Sequence, residues 1–371
     1  MRQVLRVIAA AALTVILVAC APEAGDSAGT DAAPAADTRT FEWKLVTTWP
    51  KNLPALGTAP ERLADIVGEM SAGRFQIKVY AAGELVPAFE VFDAVAEGSA
   101  EMGHGAAYYW RGKAPIAAIF ATVPFGLNAQ EMNGWLHYGG GLELWRELYE
   151  PFGVVPLAAG NSGVQMAGWF NKEINSLEDL QGLKMRIPGI GGEVLERAGG
   201  VPVAMPGSEI FTSLQTGVIV AAELVGHYND LALGLQEIAQ YYYYPGWHEP
   251  GPAIEALVNR EAWDSLPTDL RVMLETACRA VNQDMLDEFT ARNATALRTL
   301  VEEHGVDVRR LPDDVLARFA EFSDDVLDET AATDELSQRI LDSYRAFQGS
   351  VREYHAITEQ SYLDTRAGVD G

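Results

Sequence analysis

Only 2 of the 371 residues are cysteines, which excludes a disulfide framework; neither belongs to a CxxC or Cys/His cluster that could hold structural zinc. Basic residues are also scarce. The chain has 27 Lys and Arg against 52 Asp and Glu, a formal net charge of −25. A surface of that sign does not displace counterions from phosphates, which argues against a nucleic-acid partner. Beyond the N-terminal leader no apolar stretch approaches the ~20 residues of a membrane span. Motifs for catalysis are missing too. The six histidines (His104, His137, His227, His248, His304 and His355) form no HExxH or other paired metal spacing. GNSGV at 160–164 is not a GxSxG elbow, PGIGGEV carries Val194 where a dinucleotide turn needs its third glycine, and no GxxxxGK[ST] loop occurs. Cys278, in the helical apolar run LETACRAV, reads as a buried core thiol. Nothing in this set favours an enzyme.

What is present is enough apolar material, 48% of residues, for two domains at roughly 150 residues each. Residues 1–20 place Arg2 and Arg6 before an apolar core and end in Leu17-Val18-Ala19-Cys20. The core is short for a span and has the shape of a secretory signal. Its last four residues resemble a bacterial lipobox, in which the cysteine is lipidated and begins the mature chain; a plain secretory signal with an incidental Cys20 is the alternative. Residues 21–40 are small, acidic and Pro-containing, a flexible tether. The expected location is periplasmic, with a lipid anchor at Cys20.

From Phe41 the pattern is α/β. FEWKLVTT and FQIKVY alternate as strands on either side of a helical spacing over Pro60–Ser71. A helix over Phe89–Ala96 and a short strand near Ala100–Met102 follow. The second half repeats the scheme: strands at Val154–Ala158 and Lys184–Ile187, a helix over Gly192–Ala198, a helix capped by Ser208, and a strand over Val218–Ala222. EVFDAVAEG (90–98) aligns with EIFTSLQTG (209–217). Two such lobes form a crevice at their strand ends, where ligands bind. The last third is helical, over Leu270–Val301 and again beyond Pro312. Leu336, Ile340, Tyr344, Phe347, Val351 and Tyr354 form one apolar stripe, suited either to the chain's own lobes or to a dimer partner.

A few polar residues stand in apolar or aromatic surroundings. Arg186 ends the strand LKMRIP, Glu223 follows VIVAA, Glu249 closes YYYYPGWHE, and Gln165 lies in NSGVQMAGWF. Each is either a structural group with an internal partner or a group aimed at a ligand.

AGNSGVQMAGWF, LKMRIPGIGGEVLERAGGVPV, AAELVGHYNDL and YYYYPGWHEPG together resemble the extracytoplasmic solute-binding subunits of TRAP transporters, over about residues 41–360. The subgroup they most resemble binds 2-oxo acids such as pyruvate, or lactate, with a metal ion. The resemblance implies a two-lobed periplasmic-binding-protein fold with crossing hinge strands and a long helix over both lobes. Lobe I would comprise 41–163 and 252–291, and lobe II 164–251 with 292–371 and the C-terminal helices. Arg186 falls on the family's carboxylate clamp, a choice consistent with bidentate guanidinium chemistry. Gln165, Glu223, the backbone carbonyl of Leu224, and Glu249 match the positions around the ion. Asn161 and one of the Tyr108–Tyr109 pair match ligand-contacting positions. Leu224 stands where relatives often carry an aromatic, which alters a wall of the pocket.

An ion held by these acids would resolve their conflict with an anionic substrate. An all-oxygen donor set suits sodium or calcium rather than zinc. The implied partners are a small carboxylate, the TRAP permease in the membrane, and a second copy of the chain. The alternatives are a receptor for a C4-dicarboxylate or sugar acid, which would want a second cation from Arg111 or Lys113, and a sensor partner. Arg186→Ala is expected to weaken binding while keeping the fold.

Overall fold

The computed structural model describes residues 38–369; the leader, Cys20 and most of the proposed tether lie outside the described residues. The strands are β1 (Phe41–Thr47), β2 (Phe75–Tyr80), β3 (Met102–Gly105), β4 (Val154–Asn161), β5 (Gly168–Phe170), β6 (Lys184–Arg186), β7 (Val201–Val203), β8 (Ala221–Ala222), β9 (Tyr241–Tyr244), β10 (Ala253–Asn259) and β11 (Asp307–Arg310). They form two sheets, in the orders β2-β1-β3-β10-β4 and β11-β9-β5-β8-β6-β7. β1 is parallel to β2 and β3, and β10 runs antiparallel between β3 and β4. In the second sheet β6 is parallel to β7 and β8, while β5 is antiparallel to β8 and β9. This is the expected pair of mixed α/β lobes.

The internal repeat is structural. Residues Ala88–Glu90 and Gly207–Glu209 each form a 3-10 turn, leading into the helices Val91–Ala96 and Ile210–Gln215. Both helices stop at a glycine with φ +73, Gly98 and Gly217, and in both lobes a strand starts four residues later, at Met102 and Ala221. Glycine is needed at those positions because a Cβ disfavours the left-handed region. Two expectations shift here. Ser208 lies inside the 3-10 turn and does not cap the helix with its side chain. The strand expected over Val218–Ala222 shortens to Ala221–Ala222, because the Ile219 amide is used by the Ser213 carbonyl (3.3 Å) and Val218 is exposed.

The first lobe's core stacks Phe120 between Trp135 and Trp145, with centroids 5.4 and 5.1 Å apart. In the second, Trp169 stacks on Tyr242 at 4.1 Å, and both donate hydrogen bonds to the buried carboxylate of Asp230.

The chain crosses between the sheets at 162–167 and returns at 245–252. The two crossings lie side by side: Ser162 N donates to Pro252 O (3.3 Å) and Gln165 N to Glu249 O (3.1 Å). The 31-residue helix Thr268–Arg298 runs along both lobes. Its Glu288 accepts from Arg62 of the first lobe (3.2 Å) and Tyr228 of the second (3.3 Å). Met285 lies against β4 at Gly160, where an added Cβ would fall 2.6 Å from its methyl carbon.

The helix Glu335–Ile357, expected with lobe II, touches both lobes. Its Arg345 pairs with Asp328 of the helix Asp313–Ala331. On the first lobe Tyr344 meets Trp135 edge-on at 5.1 Å, its hydroxyl oxygen accepts from Leu127 N (2.7 Å), and Phe347 rests on Gly134 and Gly139. Ile340 and Tyr344 of the apolar stripe are buried; Leu336, Phe347 and Val351 are partly buried, and Tyr354 is 57% exposed. The stripe's first half thus serves its own lobe.

Candidate functional site

The expected site residues converge where strand ends meet the two crossings. Arg186 closes β6, and Glu223 follows β8, its neighbour in the sheet. Their backbones are tied by the Glu223 amide donating to the Arg186 carbonyl (3.1 Å). Gln165 comes from the first crossing, and His248 and Glu249 from the second. Tyr108 and Tyr109 follow β3 across the crevice, and Gly189 at φ +67 lets lobe II come close: a Cβ there would meet the Cβ of Tyr108 at 3.1 Å.

Arg186 and Glu223 form an ion pair with both side chains 1% exposed, Nη1 to Oε1 at 2.5 Å. Nη1 also donates to the Glu223 carbonyl (2.7 Å) and Nε to Met205 O (3.3 Å). Nη2 faces the Tyr109 hydroxyl of the other lobe at 3.4 Å. Three of the five N–H groups are therefore held inside lobe II. This changes two expectations. The nitrogen left facing the crevice is Nη2, in place of a free two-nitrogen fork. Removal of Arg186 would also leave the Glu223 carboxylate buried without its cation, a cost to stability that the expectation for Arg186→Ala did not include.

Several buried polar atoms at this point make no hydrogen bond among the described residues: Gln165 Oε1, Glu223 Oε2, Glu249 Oε2, and both ring nitrogens of His248. Leaving such atoms unpaired costs about 1–3 kcal/mol each, more for charged groups, so the cluster calls for something that binds oxygen and nitrogen lone pairs. One ligand atom from each of Glu223, His248 and Glu249 lies within 4.8 Å of the others. Burial, then the neighbouring Glu223 carboxylate, pushes the Glu249 carboxyl well above its usual range; the Tyr108 hydroxyl hydrogen-bonds to it. A cation accommodated by this donor set would relieve that repulsion.

The remaining expected residues have definite places. Both tyrosines point inward, Tyr109 at Arg186 and Tyr108 at Glu249. They also wall a cavity of about 370 Å³ between the lobes, with Phe89, Ile187 and Glu193. Leu224 is buried, its side chain over Gly207. Asn161 braces the crossings, donating to Gly251 O (3.0 Å) and accepting from Gly163 N (2.8 Å). Arg111 pairs with Glu193 and the Gly189 carbonyl, and Lys113 with Asp93 at 2.7 Å.

His248 was not among the expected ligands. It belongs to the quoted segment YYYYPGWHEPG, but its partner Glu223 is 25 residues earlier, a separation that no local metal spacing would flag. An imidazole thus stands beside the expected oxygen donors, with Nε2 3.4 Å from Glu223 Oε2.

With this geometry in place, residues 45–334 match bacterial extracellular solute-binding protein, family 7. The chain belongs to that family. A monocarboxylate 2-oxoacid-binding periplasmic protein of Nostoc sp. is 41% identical over 361 residues, 97% of each chain. The crystal structure of a TRAP periplasmic solute binding protein from Pseudoalteromonas atlantica, with bound sodium and pyruvate, is 42% identical and superposes with a TM-score of 0.85 over 88% of this chain and 99% of that one. A TRAP transporter solute binding protein from Bordetella bronchiseptica is 38% identical, with a TM-score of 0.87 over 90% of this chain and 99% of that one. It is described as a mixed-occupancy dimer with copurified calcium and picolinate in one active site and the other apo. This family 7 protein thus shares the two-lobed architecture of solute receptors, with its partnerless buried oxygens gathered at the crossing between lobes.

Proposed function

We propose that this solute-binding protein is the TRAP receptor for a small 2-substituted monocarboxylate, pyruvate or lactate, captured between the lobes together with a sodium or calcium ion. The observation that carries this reading is the buried cluster of Arg186 with the partnerless oxygens of Gln165, Glu223 and Glu249. The Nη2 end of Arg186 receives one carboxylate oxygen. Gln165, Glu223, Glu249 and the Leu224 carbonyl would hold the ion, which would supply positive charge for the anionic ligand beside these acids. Tyr108 and Tyr109 close the site from lobe I, and Asn161 orients the crossing. The relatives with pyruvate, sodium and calcium support this assignment. Arg111 and Lys113, the cations that a dicarboxylate would need, are engaged by Glu193 and Asp93, which favours a monocarboxylate.

The membership of the two sheets supports lobes made of 41–163 with 252–291, and of 164–251 with 292–334, the helix Glu335–Ile357 touching both. Its uncovered end, with Tyr354 57% and Ile357 79% exposed, supports a dimer seam, as does the dimeric Bordetella protein. The leader supports export and a lipid anchor at Cys20. The product of the chain is a bound ligand handed to a permease, not a chemical conversion. Native mass spectrometry of the purified protein tests the reading. It should show a carried-over small carboxylate and one ion per chain. Calorimetry that finds no affinity for any 2-oxo or 2-hydroxy monocarboxylate, with sodium and calcium present, would overturn it.

A further inference from the structure

The imidazole of His248 is 1% exposed, and among the described residues neither ring nitrogen makes a hydrogen bond; its one polar neighbour at ion-pair distance is Glu223. That burial is built. The second crossing passes so close to the helix Gly189–Arg197 that a Cβ on Gly191 would lie 2.9 Å from the His248 Cβ. The ring is thereby held beside Glu223, Nε2 3.4 Å from Oε2, in a group with Glu249 whose ligand atoms lie within 4.8 Å of one another. Hard ions such as calcium gain little from imidazole, whereas first-row divalent ions prefer it, with affinities rising from manganese through cobalt to copper.

We propose that His248 is a ligand of the ion site, and that through it the site takes a first-row divalent cation such as Co²⁺ or Zn²⁺ as well as a hard one. The inference rests on the receptor reading for the ion's oxygen ligands. It extends that reading to a chelate of 2-oxo acid and borderline metal as a second form of captured ligand. A 2-oxo acid offers two adjacent oxygens to such an ion as readily as to calcium, so the same Arg186 end can serve both forms.

The test uses the folded chain, stripped with chelator and titrated with Co²⁺. Wild type should bind one Co²⁺ per chain, displaceable by Ca²⁺, and show a strongly shifted, solvent-exchangeable imidazole N–H resonance. His248→Gln should lose that resonance. Its Co²⁺ affinity should fall by about a hundredfold or more, against less than about tenfold for Ca²⁺, since even outer-shell losses cost 10–100-fold. Bound Co²⁺ with no imidazole resonance in wild type overturns the proposal without reliance on any variant, as does equal weakening of both ions in His248→Gln. If Co²⁺ binds with the resonance while neither Na⁺ nor Ca²⁺ supports pyruvate binding, the His248 site stands and the receptor reading falls.

Discussion

Replacement of Arg186 by Met removes a guanidinium whose Nη1 holds Glu223 through two contacts of 2.5 and 2.7 Å, with both side chains 1% exposed. The variant keeps much of the side-chain volume, so the main loss is electrostatic. An uncompensated carboxylate in such a place costs ~3–5 kcal/mol of stability. For a protein of this size that corresponds to a fall in Tm on the order of 4–7 °C. Arg186→Met combined with Glu223→Gln removes both charges together, and should recover more than half of the loss, because replacing a whole buried pair is often nearly neutral. Binding should behave differently. Either variant lacks the carboxylate's partner, at ~2–5 kcal/mol, so pyruvate binding should weaken by roughly 30-fold to several thousandfold in calorimetry with sodium or calcium present. Recovery of stability without recovery of binding is the expected signature. The reasoning is refuted if Arg186→Met melts with wild type, or if it binds pyruvate within threefold of wild type.

Binding of acid and ion should be mutually dependent, since each ligates the other: dialysis against chelator in sodium-free buffer should abolish pyruvate binding, and calcium should restore it in wild type but not in Glu223→Ala. Full affinity without either ion would return Glu223 and Glu249 to structural roles. Glu255 is buried in β10, and burial raises its carboxyl from 4.5 to about 8. The unfolded chain therefore ionises first, and stability should decline as pH rises from about 4.5 to about 8. Urea unfolding at pH 5 and pH 8 should show a decline larger in wild type than in Glu255→Gln by on the order of 3–5 kcal/mol; equal slopes would contradict the burial argument. Cys20→Ala should move the protein out of the membrane fraction, and a wild type already soluble would exclude the lipid anchor. Light scattering at micromolar concentration should report a dimer that Tyr354→Glu with Ile357→Glu dissociates; a wild-type monomer would leave the stripe to its own lobe.

Much of this protein was legible without a structure. Alternation over FEWKLVTT and FQIKVY gives β1 and β2 because side chains on a strand point to opposite faces in turn. The paired segments ending at Gly98 and Gly217 suggested a repeated unit, and both helices do end at a glycine with φ +73, a conformation that glycine adopts at least cost. Arg186, Glu223, Glu249 and Gln165 were visible as polar groups in apolar surroundings, an anomaly local enough to read from neighbours in the chain. Long-range approach was not legible, because pattern and propensity carry no distances. Sequence did not reveal that the guanidinium spends three N–H groups inside its own lobe, that both tyrosines face inward, or that the helix Glu335–Ile357 packs on the first lobe as well as the second. His248 shows the limit most clearly. In the chain it is one histidine of six, with a turn and an acid beside it; its buried place depends on a glutamate 25 residues away and on Gly191, whose lack of a Cβ leaves room for the His248 Cβ. Composition and periodicity determined which elements form and which residues are out of place. Tertiary packing decided which of those residues share one buried point, because only there does the loss of water force their lone pairs to find a common partner.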